Sequence, residues 1–343
     1  MSYLTERTQS VCIDGVSSTP ASLRFGVPQG SVLGPLLYTI YTLPLGDLLR
    51  ALHIPYHFYA DDSQLYLACD SGDVEAQAET VCKMEMCVSA VKSWMLRSKL
   101  KLNDEKTEVI MIKSPYFSNR HRLDKMHVGD TTVAPVSSVR NLGAMFDSTM
   151  SAKKHIGTVC RTVSYHIGNV SKICKFLSPA ACELLIHSLV SSRLDYANSL
   201  LYGAPDTQLN RLQRMLHIAA RIVTRTPSSH HIKKVLILLH WLPVKQRITY
   251  KILLMTFKAL NNIGPNYLKV LLNPSVPSRS LRSSSKNLMV VPKTNTKTFG
   301  NRAFSHSAAV LWNSLPEPLK EVPNVSAFKA KLKTFLFKQA YNL

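Results

Sequence analysis

The sequence predicts an α+β protein, with short strands before about residue 150 and helices after it. In residues 1–150, β-rich runs alternate with one long amphipathic segment. After this point apolar residues recur every three or four positions, as in Ile156, Val163 and Val170. The charge changes at the same place: residues 1–150 hold 14 Lys and Arg against 16 Asp and Glu, and residues 151–343 hold 28 against 5. Two patterns and two charge balances predict more than one domain.

The composition excludes disordered, collagen-like and acidic-surface proteins. Of the 343 residues, 45% are hydrophobic, which is enough to form a core without disulfides. There are 42 Lys and Arg against 21 Asp and Glu, for a net charge of +21. Because the second half has few acids, its bases must face water, a phosphate backbone or an anionic membrane. We therefore expect a polyanionic partner.

The cysteines and the absence of targeting signals predict an intracellular protein of the nucleus or cytoplasm. The seven cysteines form no CxxC pair, and no secretory signal peptide is recognisable. Residues 25–46 lack charge, but their prolines and glycines predict buried core with a turn, and not a membrane span. His155, Cys160, His166 and Cys174 could form a zinc site. The pattern favours the other interpretation, that they are scattered core or surface positions on a helix.

Local patterns predict the elements of the first half. Pro35 suits the first turn of a helix. Two β-rich runs, 54–60 and 64–68, flank Asp61-Asp62-Ser63 and predict a hairpin with these three residues as its turn. Asp73 is expected to cap an amphipathic helix. Further short strands are predicted at 108–112, 125–128, 131–133 and 139–146.

Helices are predicted throughout the second half. Ser178 followed by Pro179 is typical of a helix start. Residues 273–300, rich in Ser, Pro, Asn, Lys and Thr, are expected to form a loop or linker. Apolar stripes predict the remaining helices over 156–170, 209–223, 244–260 and 325–340.

Two segments could carry chemistry. Asp61 and Asp62 are adjacent carboxylates, which repel each other unless they are solvated or bind a divalent cation. Hard cations such as Mg²⁺ prefer carboxylate and phosphate oxygens, and two such ions can activate a hydroxyl and stabilise a leaving group. The alternative is a solvated Asp-Asp turn. Residues 26–35, GVPQGSVLGP, precede a helix, and their glycines allow a ligand to approach the backbone closely.

In their order and spacing, four motifs resemble those of the reverse transcriptases of non-LTR (LINE-type) retrotransposons. The C-terminal segments 301–304, 311–316 and 328–335 are also similar to that family. The four motifs are GVPQGSVLGP at 26–35, YADD at 59–62, LNDEKT at 102–107 and NLG at 141–143.

The resemblance implies a fold with three parts. Residues 1–150 would form a partial reverse transcriptase palm, an antiparallel sheet with helices. Residues 151–230 would form a helical, basic thumb. Residues 231–343 would form a basic C-terminal region with a linker near 273–300.

The resemblance also implies roles for individual residues. Asp61 and Asp62 would be catalytic metal ligands for Mg²⁺ or Mn²⁺, and Lys106 would serve as an acid toward the pyrophosphate leaving group. Plain alternatives are a surface lysine at 106 and ordinary hairpin core at 142–143. The implied partners are an RNA template and a DNA primer, with no membrane. In that family, Gln29 and Gly30 would form the nucleotide and template loop, and Leu142 and Gly143 the primer grip.

The basic second half predicts a nucleic-acid contact of its own. Four arginines share about 80° of one helix face at about 100° per residue, nearly opposite the apolar stripe 209–223. No Asp or Glu occurs from 209 to 316. Contact with a nucleic-acid backbone is therefore favoured over a plain solvated face. The four are Arg211, Arg214, Arg221 and Arg225.

One departure from the family pattern limits the expected activity. The palm of the family needs a third carboxylate on a strand before residues 26–35, where this sequence has only Glu6 and Asp14. We therefore expect the C-terminal portion of a reverse transcriptase, beginning inside the palm, with weak metal binding and a need for an upstream palm and fingers fragment. The predicted function is nucleotidyl transfer onto a primer 3′ end by an RNA-directed DNA polymerase that is incomplete. The alternatives are a non-catalytic RNA- or DNA-binding module and a decayed copy of the element.

Overall fold

The computed structural model describes residues 3–27, 30–69, 73–114, 125–129, 131–275 and 287–343. The chain divides into two compact units. The first holds residues 1–109 and 117–135, and the second holds residues 110–116 and 136–343. Helices combine with small antiparallel sheets, as the predicted α+β class requires.

The first unit begins with two small strand pairs and continues with a hairpin between two long helices. Strand β1 pairs with β4, β2 with β3, β5 with β6, and β7 with β8, all antiparallel. The strands are β1 Thr8–Gln9, β2 Cys12–Ile13, β3 Val16–Ser17, β4 Ala21–Ser22, β5 Tyr56–Tyr59, β6 Asp62–Leu65, β7 Met126–Val128 and β8 Thr131–Val133. The helices are α1 Gly34–Ala51 and α2 Val74–Arg97.

Helix α1 differs from the prediction of buried core with a turn. It begins with Pro35 in its first turn, as predicted, and continues through Pro44. Its Leu36, Ile40 and Leu43 are more than half exposed. Only the stripe containing Leu45 and Leu49 is buried, because β5–β6 and α2 cover one side of the helix.

The local predictions for the rest of the first unit are confirmed in part. The carboxylate of Asp73 accepts hydrogen bonds from the N–H groups of Glu75 (2.9 Å) and Ala76 (3.2 Å), so Asp73 caps α2 as expected. The strand predicted at 108–112 is wrong, since no strand forms there. The single strand predicted at 139–146 is also wrong, because Leu142 and Gly143 turn the chain into a hairpin.

The second unit consists of the β9–β10 hairpin and a bundle of helices. Ser178 caps α4 by accepting from the N–H of Ala181 at 3.2 Å, and α8 has the predicted bounds. Part of the predicted loop 273–300 lies outside the described residues. The elements are β9 Ser138–Asn141, β10 Ala144–Asp147, α3 Lys153–Ile173, α4 Pro179–Ile186, α5 Ser192–Asp195, α6 Asp206–Thr224, α7 Ile232–Leu238, α8 Val244–Leu260, α9 Asn266–Val270, α10 Phe304–Asn313, α11 Glu317–Lys320 and α12 Val325–Tyr341.

A single hydrophobic core runs through the second unit. It joins α3 and α6 to α8, α10 and α12, and Phe257 of α8 stacks on Phe328 of α12 at 4.1 Å. Residues on both sides of the predicted boundary at 230 contribute to this core. The two compact units divide between 135 and 136, and β10 packs with α3. In the described part of the chain, no helix is both long and apolar enough to cross a membrane.

Candidate functional site

Asp61 and Asp62 lie at the tip of the β5–β6 hairpin. Tyr59 pairs with Asp62, so the loop consists of Ala60 and Asp61 alone and is shorter than the predicted three-residue turn. Ala60 has φ +53°, in the left-handed region that two-residue hairpin loops of this kind use. Both carboxylates are exposed to solvent. The hairpin tip thus places two carboxylates on adjacent residues, one in the loop and one at the start of β6.

Hydrophobic packing beneath the hairpin fixes this loop. Tyr56 and Phe58 alternate inward from β5 and pack on the core formed by Leu45, Leu49 and neighbouring residues of α1 and α2. Gly46 allows this approach, because a Cβ there would lie 2.6 Å from the Tyr56 hydroxyl. Arg50 also donates to that hydroxyl at 2.7 Å. The hairpin is therefore anchored along its buried side.

Tyr38 of α1 is a neighbour of the site that the sequence did not reveal. It is half-buried, and burial together with the charge of Asp61 raises the pKa of its phenol. The carboxylate of Asp61 therefore lies close enough to Tyr38 to act on it electrostatically. Tyr38 lies in the first turns of α1, the helix that begins at Gly34.

The segment 26–35 is described only in part. Gln29 lies outside the described residues. Gly30 has φ +79°, and a Cβ added there would meet nothing within 4 Å, so it faces open space. Ser31 accepts a hydrogen bond from the N–H of Gly34 at 3.2 Å and also bonds the Tyr3 hydroxyl. A left-handed glycine with an open side is compatible with a ligand-facing loop.

The donor set at the Asp-Asp turn fits a weakly held divalent cation. Two carboxylates offer the hard oxygen ligands that Mg²⁺ accepts, with water filling its other positions. Across the described ranges, no group of three His, Cys, Asp or Glu is arranged to hold a metal. This finding also contradicts the alternative zinc site of His155, Cys160, His166 and Cys174. The family pattern places its third carboxylate on a strand. Asp14 does not match this pattern, because it lies in the turn between β2 and β3 with φ +49°.

Lys106 lies on a short 3-10 turn, Asp104–Lys106, and is exposed. Asn103 caps this turn by accepting from the N–H of Lys106 at 3.3 Å. Asp104 forms an ion pair with Lys92 at 2.8 Å, with both side chains about four-fifths buried. Two residues of the LNDEKT motif, Asn103 and Asp104, therefore have structural roles, whereas the Lys106 side chain is exposed to solvent.

Leu142 and Gly143 form the turn of β9–β10 in the second unit. Both have positive φ, +43° and +82°. The hydroxyl of Tyr196 donates to the Leu142 carbonyl, and a Cβ on Gly143 would lie 3.1 Å from the Tyr196 ring. Below the turn, buried His155 accepts from the N–H of Met145 at 3.2 Å, and burial lowers the pKa of His155. The hairpin is thus held at its turn by Tyr196 and along β10 by His155.

Asp147 and Arg302 form a polar cluster that the sequence did not reveal. Arg302 donates to the carbonyls of Tyr202 (2.9 Å), Met150 (2.6 Å) and Leu200 (3.1 Å). Burial lowers the pKa of Arg302, and the charge of Asp147 opposes this effect. The C-terminal segment 301–304 therefore has a structural role, because Arg302 ties it to the chain after β10.

The four arginines predicted as one interface have different roles. Arg211 and Arg214 are exposed on α6, where Arg211 donates a hydrogen bond to the nearby Gln208 at 3.2 Å. Arg221 instead donates to the carbonyls of Pro227 and His230. Arg225 donates to those of Cys174 (3.0 Å) and Leu177 (2.7 Å), at the end of α3.

Several of the few acids of this unit already have partners. Asp195 pairs with Arg247 at 2.8 Å, and Asp206 pairs with Lys245 at 2.7 Å. Glu183 accepts from the indole of Trp241 at 3.3 Å. Most Lys and Arg side chains of this unit therefore have no carboxylate to balance their charge. Such an excess of positive charge is typical of a nucleic-acid-binding surface.

Comparison with known proteins agrees with the motifs. Residues 3–146 match the family described as "Reverse transcriptase (RNA-dependent DNA polymerase)". The chain is 27% identical over 249 residues to the probable RNA-directed DNA polymerase from transposon BS of Drosophila melanogaster, covering 66% of this chain and 25% of that protein. No solved structure matches the chain significantly.

Two further relatives come from other mobile elements. The Pol polyprotein from type-1 retrotransposable element R1 of Nasonia vitripennis is 25% identical over 229 residues, covering 64% of this chain and 65% of that protein. The RNA-directed DNA polymerase from mobile element jockey of Drosophila melanogaster is 23% identical over 248 residues, covering 66% and 25%. The chain thus spans from about a quarter to two thirds of these relatives. Residues 3–146 thus match the reverse transcriptase family, and the chain is similar to RNA-directed DNA polymerases of non-LTR, LINE-type retrotransposons.

Proposed function

We propose that this chain supplies Asp61 and Asp62 to the active site of an RNA-directed DNA polymerase, which transfers nucleotides onto a primer 3′ end. The observation that carries the proposal is the hairpin tip, where a two-residue loop over a packed core exposes both carboxylates within the family match. Burial and the charge of Asp61 also raise the pKa of Tyr38, which lies on the helix that begins at Gly34.

Asp61 and Asp62 would hold Mg²⁺ or Mn²⁺. Such ions, when bound, activate the attacking hydroxyl and neutralise charge on the leaving pyrophosphate. Lys106 is exposed and can donate a proton to that leaving group if the substrate reaches it. Two carboxylates hold such ions weakly, so we propose that activity requires a third carboxylate on an additional palm strand.

The hairpin offers a place for that strand. In the part of the chain that the structure describes, β5 and β6 form a two-stranded sheet that no third strand extends. An open strand edge also favours aggregation. We therefore expect the chain alone to be poorly soluble and to extend no primer, and we expect a palm fragment added in trans to improve both properties.

Primer extension tests the proposal. The chain would be assayed on an oligo(dT)-primed poly(rA) template with Mg²⁺, alone and co-expressed with a palm fragment of a related polymerase that carries the third Asp. Extension should appear only with the fragment and disappear with Asp61→Asn. An Asp-to-Asn fragment should restore solubility but not extension, because strand pairing and metal binding have separate causes.

Asp73→Asn is the matched control, because asparagine caps a helix as well as aspartate does. Primer extension by the chain alone, unchanged by Asp61→Asn, would contradict the proposal. Nucleic-acid binding without extension in any combination would instead favour a non-catalytic RNA- or DNA-binding module, which the unbalanced positive charge of the second unit supports.

Metal binding gives a second test. Titration with Mn²⁺, followed by electron paramagnetic resonance, should show weak binding that Asp61→Asn reduces further. Tight binding that survives this substitution would place the metal elsewhere.

A further inference from the structure

We propose that the exposed face of α3 and the turn after it bind unpaired nucleic acid, with phosphates contacting its cations and bases stacking on its aromatic rings. This inference rests on the proposed nucleic-acid binding and extends it to residues outside the predicted sites. We call this surface the cationic–aromatic face. It consists of Arg161, Tyr165, Lys172, Lys175 and Phe176, all exposed.

The buried stripe of α3 sets the direction of this face. Ile156 and Val163 are 0% exposed and Val170 is 2% exposed, so they lie against the core. At about 100° per residue, Arg161, Tyr165 and Lys172 lie within 40° of one another and roughly opposite that stripe. The three therefore line one solvent-facing strip of the helix.

Two aromatic rings of the cationic–aromatic face are exposed to solvent. Tyr165 is 67% exposed and Phe176 is 78% exposed. The ammonium of Lys175 lies 4.8 Å from the centre of the Phe176 ring, and the ring centres of His166 and Tyr165 are 5.4 Å apart, with their planes at 74°. Both rings keep a surface on which a base can stack. Stacking on aromatic side chains is a common way of binding single strands.

The charge of the face selects a polyanion as the partner. No Asp or Glu occurs between Asp147 and Glu183, so α3 has no acid of its own. An anionic membrane would also attract the lysines, but membrane-bound helices present a continuous apolar face. Here Tyr165 lies between Arg161 and Lys172 on the helix, and Phe176 follows Lys175 in the turn after it, so both rings have cations near them that could contact phosphates. Bases in a duplex are already stacked, so the rings favour a single strand.

The test compares single- and double-stranded probes. Fluorescence anisotropy would measure the binding of the full chain to a labelled oligo(dT) and to a duplex of equal length, over a range of salt concentrations. Tyr165→Ala and Phe176→Ala should each weaken oligo(dT) binding about fivefold or more, because stacking contributes about 1–3 kcal/mol per base. Duplex binding should change little. Tyr165→Phe should retain the affinity, because it keeps the ring.

Two controls separate stacking from charge and from folding. Tyr267→Ala removes a tyrosine of α9 that is 60% exposed, and it should leave oligo(dT) binding unchanged. Lys172→Gln should reduce the salt dependence for both probes by about one phosphate contact. Equal losses for oligo(dT) and duplex in Tyr165→Ala, or no loss in either, would overturn the assignment of this face and leave the proposed polymerase function standing. Failure of the wild-type chain to bind either probe would overturn both.

Preferential binding to anionic vesicles, lost in Tyr165→Ala and Phe176→Ala, would also contradict the assignment. In that case the face would be a membrane contact.

Discussion

The hydroxyl of Tyr196 donates a hydrogen bond to the main-chain carbonyl of Leu142. This contact connects Tyr196, the residue that follows the short helix α5, to the tip of β9–β10, the hairpin for which the sequence predicts a primer-grip role. Gly143, next in the chain, has φ +82° and lies against the same tyrosine ring. The Tyr196 side chain therefore holds the hairpin tip, and the left-handed φ and the close tyrosine ring both favour glycine at position 143.

Gly143→Ala should destabilise the second unit, whereas Gly168→Ala should stabilise it. At Gly143 the left-handed φ costs a non-glycine residue about 1–2 kcal/mol, and the new methyl would press on Tyr196. Gly168 is in α3 with nothing within 4 Å of its Cβ position, so alanine should gain about 0.5–1 kcal/mol. Urea unfolding followed by circular dichroism would measure both. The same sign for the two variants would contradict this account.

Removing the side chain of Arg302 should be among the most damaging single changes in the second unit. Arg302→Ala breaks three hydrogen bonds to carbonyls, two of them beside the turn at Gly203, and we expect a loss of about 2–4 kcal/mol. Arg302→Lys should recover only part of this, because one ammonium cannot reach three divergent carbonyls. Arg140→Ala, on exposed strand surface, serves as the control in thermal unfolding.

The stability of the second unit should fall at acid pH through Asp147. Burial opposes the charge of this carboxylate, but hydrogen bonds from Ser151 (2.9 and 3.0 Å) and Thr149 (2.8 and 3.2 Å) outweigh it and lower its pKa. Since the folded-state pKa is below that of the unfolded chain, about 3.9, the stabilisation is complete above this pH and is lost as pH falls through the folded-state pKa.

Asp147→Asn should therefore lower the free energy of unfolding at pH 7 by about 1–3 kcal/mol and flatten its decline below pH 4. Unfolding curves at pH 7, 5 and 3.5 would show the difference. Asp206→Asn removes an exposed partner of Lys245 and should shift the curves by less than about 1 kcal/mol. An unchanged pH profile in Asp147→Asn would mean that other carboxylates set the acid limit.

The four arginines on and just after α6 should divide into two pairs that respond differently to substitution by glutamine. Changing Arg211 and Arg214 together should reduce the slope of log affinity against log salt by about two, because each exposed guanidinium neutralises one phosphate. Changing Arg221 and Arg225 should instead lower stability by about 1–3 kcal/mol, since both donate to carbonyls of the fold. Equal effects of the two pairs on the salt slope would restore the original single interface.

Much of the local structure could be predicted from the sequence because its causes are local. The caps at Asp73 and Ser178 depend on a side chain and an N–H group two or three residues away. The bounds of α8 follow from its apolar period and from Pro243 before it. The Asp-Asp hairpin was predicted as an element, but its turn is one residue shorter, since register depends on cross-strand pairs.

The remaining features depend on contacts between distant segments. Arg225 meets carbonyls about fifty positions earlier, and Arg302 meets one about 150 positions earlier. No period or composition signals such a contact. The exposed side of α1 was missed for the same reason, because an apolar run does not show how many neighbours will cover it.

The stacked pair Phe257 and Phe328 has a genetic consequence. Because α12 fills the same core as α3, a stop codon or frameshift late in the reading frame would uncover Phe257, Ile252 and Trp312. Such a protein would lose the folding of residues far upstream, including the hairpin at Leu142, although every codon of that hairpin is intact. A nonsense mutation after codon 320 should therefore be as damaging to the proposed polymerase activity as a missense change at Asp61, although it would leave the four motifs between residues 26 and 143 in place.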